Sequence, residues 1–139
     1  MNELELGFKS IAGKTILVVE DDPWSLLLVQ KILNFNKVEV ITAKVGEEGV
    51  KLFVQHEEID LVVLDIKLPT ISGMQVFEQM RKMRPLIPII AYTAYAYCNE
   101  SIILPSTGFS AYFSKPLDVN SFVNTLYRLL HVESSVIHA

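Results

Sequence analysis

Glu20, Asp21 and Asp22 close one short run of apolar residues, Ile16-Leu17-Val18-Val19, and Asp65 closes another, Leu61-Val62-Val63-Leu64. Acidic side chains can hold a cation, cap a helix or attack phosphorus, and their placement decides which. An apolar run of this length bounded by polar residues reads as a strand buried in a parallel sheet, and ligands of open α/β sheets bind beyond the carboxyl ends of such strands. The acids therefore stand at the rim where a site is expected. Two more strand ends lead to the same rim: Pro88-Ile89-Ile90-Ala91-Tyr92 delivers Thr93-Ala94, and Phe109-Ser110-Ala111-Tyr112-Phe113-Ser114 delivers Lys115-Pro116.

Carboxylates crowded together raise one another's pKa unless a cation neutralises them. With oxygen donors only, and no His or Cys in the pattern, a hard cation is favoured, and Mg2+ suits a shell shared by carboxylates, water and phosphate. A carboxylate is also a competent nucleophile toward phosphorus, forming an acyl phosphate.

The elements that must position these groups alternate along the chain as five strands and five helices, which gives a parallel sheet covered on both faces. Strand one spans about Thr15 to Glu20. Asp22 before Pro23 signals a helix start, with Leu26, Val29 and Leu33 as its apolar face. Val38 to Ala43 alternates like an edge strand, and Glu47 to His56 is the second helix. After strand three, Ile59 to Asp65, Pro69 forces a loop; Ser72 with Gln75 forms a capping box for a helix whose apolar face includes Val76, Met80 and Met83. A short fourth helix is expected over Ala96 to Leu104, broken by Pro105 to Gly108. Asp118 caps the last helix, which carries Phe122, Leu126, Leu129 and Leu130. Residues 1–13 read as a leader or linker, 14–132 as one domain and 133–139 as a frayed tail.

Composition narrows the functions. The chain has 139 residues, enough for one domain with one core, and half of them are hydrophobic, yet no apolar stretch approaches the ~20 residues that span a bilayer. A net charge of −4 gives no basic surface for nucleic acid, so direct binding is not expected. The single cysteine, Cys98, excludes an internal disulfide, and the N-terminus lacks the features of a secretory signal, which together imply a cytoplasmic setting without membrane contact. Cys98 reads as a structural or surface thiol, and His56, His131 and His138 as surface or helix-end residues. Tyr92, Tyr95 and Tyr97 read as packing and partner-surface aromatics.

In their order and spacing the acid pair, the lone aspartate, the hydroxyl and the Lys-Pro pair resemble the receiver domain of bacterial two-component response regulators, from about Lys14 to His131. The resemblance implies a flavodoxin-like (βα)5 doubly wound fold with strand order 2-1-3-4-5. It implies that Asp65 accepts phosphoryl from a phosphohistidine of a histidine kinase or histidine phosphotransfer domain. Asp21 and Asp65 are then direct Mg2+ ligands, Glu20 a water-mediated one, and the Lys67 backbone carbonyl the remaining protein ligand. Glu20 stands where the family often has Asp, a change that a longer acid holding a metal-bound water tolerates. Thr93 and Lys115 serve the phosphoryl oxygens, and the peptide from Lys115 to Pro116 is expected to be cis. Tyr112 matches the switch aromatic, and the signal leaves through the fourth helix, fifth strand and fifth helix. The domain catalyses its own phosphorylation and dephosphorylation rather than acting as a free-standing enzyme.

Two other classes compete. An Mg2+-dependent phosphatase with an aspartyl nucleophile wants a second acid two residues beyond it, where this chain has Lys67. A flavin-binding flavodoxin wants a phosphate loop rich in Ser, Thr and Gly, where this chain has Glu20-Asp21-Asp22-Pro23. Within the receiver class, the atypical fourth segment and the Ala12-Gly13-Lys14 lead-in favour the C-terminal receiver of a hybrid histidine kinase over a stand-alone regulator. The sequence leaves a homodimer open.

Overall fold

The computed structural model describes residues 10–94 and 108–138, the last eight of these by backbone alone. The elements run β1 (Thr15–Val19), α1 (Pro23–Phe35), β2 (Glu39–Ala43), α2 (Gly46–Gln55), β3 (Leu61–Asp65), α3 (Gly73–Met83), β4 (Ile89–Thr93), β5 (Ala111–Ser114) and α4 (Val119–His138). The helix expected over Ala96 to Leu104, with Tyr95, Tyr97 and Cys98, lies outside the described residues. All neighbouring strands are parallel, in the order β2-β1-β3-β4-β5 that the resemblance implied.

The two-residue alternation of a strand divides the core between the two faces of the sheet. Ile16, Val18, Val63 and Ile90 meet Leu26, Val29 and Leu33 of α1 and Phe122 and Leu126 of α4. Leu17, Val19, Val62, Leu64 and Ile89 meet Phe53 of α2 and Val76, Phe77 and Met80 of α3. Every residue of β1, β3 and β4 is buried, which is why their sequences are apolar apart from Thr15, Asp65 and Thr93 at the strand ends. β2 is exposed at its start, as an edge strand should be.

Local signals set the helix ends. Asp22 accepts the Ser25 N–H at 3.0 Å with Pro23 beginning α1, and Ser72 and Gln75 complete the capping box of α3. At the far end of α1 the chain turns through Lys37 with φ 61°, while Lys37 and Val38 donate N–H groups to Asn34 and Leu33. That is a Schellman closure with lysine where glycine is the usual choice.

Three features depart from the sequence reading. Met83, expected on the apolar face of α3, is 44% exposed and lines a shallow cavity of about 420 Å³ with Phe53, Val54, Glu57 and Arg84; Phe77 takes the core position. Ahead of β1, Ile11 is fully buried in the cluster shared by α1 and α4, and Gly13 donates to the Lys37 carbonyl, so the end of the stretch read as a leader packs on the domain. At the other terminus α4 continues to His138, through residues read as a tail.

Candidate functional site

The strand register brings the carboxyl ends of the inner strands level, pairing Val19 with Leu64, Asp65 with Tyr92 and Thr93 with Ser114. The residues just past each strand end therefore meet at one rim. The Glu20 N–H donates to the Ala43 carbonyl at 2.9 Å, carrying the ladder one residue past β1 and turning the next acids over the sheet. Carboxylate oxygens of Glu20, Asp21 and Asp65 all lie within 4.8 Å of one another, with Glu20 and Asp65 buried and Asp21 exposed.

Lys115 reaches this cluster from the end of β5. Its Nζ lies 2.7 Å from Glu20 Oε1 and 3.3 Å from Asp65 Oδ2. The closer contact, with Glu20 Oε1, is a buried ion pair. The Lys115 N–H donates to the Thr93 carbonyl, and the following Lys115–Pro116 peptide is cis, as expected. The ammonium also rests 4.9 Å from the centre of the Tyr92 ring, which gives it a π face.

These contacts fix the protonation balance. Burial, with Asp65 beside it, pushes the Glu20 carboxyl up to about 7, against the pull of Lys115. Burial works against the charge of Lys115, but Glu20 and Asp65 outweigh it and hold its pKa above the ordinary value. Asp22 stands apart: bonded to the Ser25 hydroxyl and N–H, its carboxyl is held low, and its role is the N-cap expected of it.

The backbone around Asp65 is closely built. Its Oδ1 accepts the Lys67 N–H at 3.0 Å. Gly73, opening α3, donates to the Ile66 carbonyl at 2.9 Å, and a Cβ there would sit 2.2 Å from the Asp65 carbonyl oxygen. Only glycine allows that approach. Thr93 is fully buried at the end of β4, whereas Tyr112 is 44% exposed on β5, opposite Ala91. His56 lies elsewhere and pairs with Glu58 at 2.9 Å.

Of the residues singled out in the sequence, Glu20, Asp21, Asp65 and Lys115 thus come together, with Thr93 bonded through its backbone to Lys115. Two contributors escaped sequence reading. The Tyr92 ring beneath Lys115 had only its position beside Thr93 to mark it, and Gly73 had no signal, because its need is set by a distant strand end.

The donor set fits a hard divalent cation. It holds oxygen alone and combines two buried carboxylates with one open to water.

Residues 16–127 match the family model of the response regulator receiver domain. The chain is 32% identical over 115 residues to the polar-differentiation response regulator DivK of Brucella ovis, covering 81% of this chain and 93% of DivK. It also spans a quarter of the length of transcriptional regulatory proteins of Escherichia coli, at 30% identity. Among solved structures it is similar to a CheY-like receiver domain protein of Methanospirillum hungatei, with 31% identity, TM-score 0.80, and coverage of 89% of this chain and 98% of that one. It is similar as well to the receiver domain of a sensor histidine kinase of Pseudomonas aeruginosa, solved with magnesium in its active-site cleft, with 26% identity, TM-score 0.78, and coverage of 86% and 98%.

The fold and rim define a CheY-type receiver domain of two-component systems. This chain belongs to the response regulator receiver family. Receiver domains bind Mg2+ at an acidic site and interact with histidine kinases or phosphotransfer proteins. Among the described residues no helix is long and apolar enough to cross a membrane.

Proposed function

We propose that this domain accepts a phosphoryl group on Asp65 from the phosphohistidine of a histidine kinase or histidine phosphotransfer domain. The observation that carries the reading is the convergence of Glu20, Asp21 and Asp65 within 4.8 Å, with Lys115 in contact with two of them. Asp21, Asp65 and the Lys67 carbonyl would hold Mg2+, with Glu20 acting through water. When bound, the ion supplies charge neutralisation for the nucleophile and the transferring oxygens.

The chain's own residues do the rest. An Asp65 oxygen forms a phosphorus–oxygen bond, giving an acyl phosphate, as the phosphorus–nitrogen bond of the donor breaks and the imidazole leaves. The Asp65 Oδ1 accepts the Lys67 N–H and its Oδ2 accepts from Lys115 Nζ, which together fix the carboxylate at the rim. Lys115, whose charge is secured by two carboxylates, meets one phosphoryl oxygen. The hydroxyl of Thr93 meets another, and Tyr112 follows Thr93 as the switch read by a partner at β5 and the neighbouring helices. The rim supports this role over phosphomonoester turnover because Lys67 occupies the position where a proton-transferring acid would be needed. The reading holds for a stand-alone regulator and for the receiver of a hybrid kinase, and its setting is the cytoplasm.

The test is chemical. After incubation with acetyl phosphate and Mg2+, hydroxylamine should discharge the incorporated group and leave a hydroxamate in the peptide containing Asp65. A label that resists hydroxylamine, or one that maps to another peptide, would overturn the assignment.

A further inference from the structure

Tyr92 lies two residues after Ile90 on the face of β4 that packs on α1 and α4, in the buried cluster that holds Leu26, Leu117 and Phe122. An aliphatic residue would fill that place as well. Tyr92 adds a π face and a hydroxyl, and each of them meets a polar group. The Lys115 ammonium stands 4.9 Å from the centre of the ring. The phenol meets the Ser25 hydroxyl, which in turn donates to Asp22 Oδ2 at 2.6 Å. Burial pushes the phenol above its ordinary pKa, with Ser25 pulling the other way, so it keeps its proton through the neutral range.

We propose, building on the phosphoacceptor reading of Asp65, that Tyr92 is a positioning residue whose ring carries the Lys115 ammonium as it passes from Glu20 to the incoming phosphoryl oxygen. Before transfer, Lys115 Nζ lies 2.7 Å from Glu20 Oε1 and 3.3 Å from Asp65 Oδ2. To meet a phosphoryl oxygen on Asp65 it must loosen its hold on Glu20, and a mostly buried ammonium that leaves a carboxylate is left without compensation for its burial. A hydrogen bond cannot follow the ammonium through that exchange, because it ties donor and acceptor to one line. The ring quadrupole can, because it attracts a cation across its whole face.

The ring is itself held at both ends. β4 fixes its Cα within the sheet, and the phenol is anchored at Ser25, whose N–H and hydroxyl are both bound by the Asp22 cap of α1. The seat of the lysine therefore belongs to the rigid frame and is in place before the phosphoryl group arrives.

The experiment replaces Tyr92 in the full chain with phenylalanines carrying a growing number of ring fluorines, which keep the shape of the ring and weaken its π face stepwise. The maximal rate of phosphoryl mass gain from acetyl phosphate should fall with each fluorine, by about tenfold across the series, while the half-saturating Mg2+ concentration holds steady. Tyr92→Leu should be as slow as the most fluorinated ring, and Tyr92→Phe should restore most of the rate. In the native chain without donor or metal, the ε-methylene protons of Lys115 should resonate upfield of those of the other lysines, and Tyr92→Leu should return them to the ordinary position. A rate indifferent to fluorination, or an ordinary ε-methylene shift in the native chain, would overturn the proposal and leave Asp65 as the phosphoacceptor. A native chain that gains no phosphoryl mass would overturn the reading of Asp65 and the proposal with it.

Discussion

Lys115 holds two buried carboxylates apart, at 2.7 Å from one and 3.3 Å from the other. Removing its charge leaves Glu20 and Asp65 facing each other with no cation between them. Lys115→Met should therefore lower the unfolding free energy by about 2 kcal/mol at neutral pH without Mg2+, as read by urea unfolding. Glu20 adds a pH dependence whose sign is fixed by its shift. Its carboxyl is raised from 4.5 to about 7 in the folded chain, so the folded state binds the proton more tightly than the unfolded state. That contribution to stability is complete below about 4.5 and is lost as pH rises through about 7. The thermal midpoint of the metal-free chain should fall across this window, and the fall should be smaller in Glu20→Gln; an equal fall in both would remove Glu20 as its cause. At this scale the sequence was legible where a residue's position followed from the strand it ends, as for Glu20, Asp21, Asp65 and Lys115. It was silent on the Tyr92 ring beneath Lys115, because that contact depends on how a neighbouring strand end is turned.

The helices show what local chemistry can and cannot announce. Asp22 before Pro23 and Ser72 before Gln75 name their own helix starts, since cap and capped N–H groups lie within three residues. Gly73 is required by something far away in sequence, the backbone of Asp65 and Ile66. Gly73→Ala should force α3 outward, costing about 1–3 kcal/mol in denaturant unfolding and lowering Mg2+ affinity in calorimetric titration. Lys37, at φ 61°, tests the opposite case. Lys37→Gly should raise stability by about 1 kcal/mol in the same assay, because glycine takes the left-handed conformation without strain. Met83 misled because a helix face can extend past the sheet it covers.

For the molecule as a whole, the apolar runs and the helix patterns between them were enough to give five parallel strands, and the family resemblance supplied their order, 2-1-3-4-5. Burial on both faces makes such strands stand out, and short right-handed connections leave few topologies. The anchoring of Ile11 in the core was not legible, because one apolar residue in an aperiodic stretch carries no signal until its neighbours in space are known. The acid cluster ties the fold to the proposed activity: its repulsion is a cost of folding that a divalent cation relieves. Mg2+ at about 100 times its dissociation constant should stabilise the native chain by about 2.7 kcal/mol, seen as a raised thermal midpoint, and Asp21→Ala should lose most of that gain. The most direct measurement is the intact mass of the chain after incubation with acetyl phosphate. With Mg2+ present the native protein should gain the mass of one phosphoryl group, and neither Asp65→Ala nor the native protein in a chelator should gain any; a native chain left unchanged, or an undiminished gain in Asp65→Ala, would contradict the account.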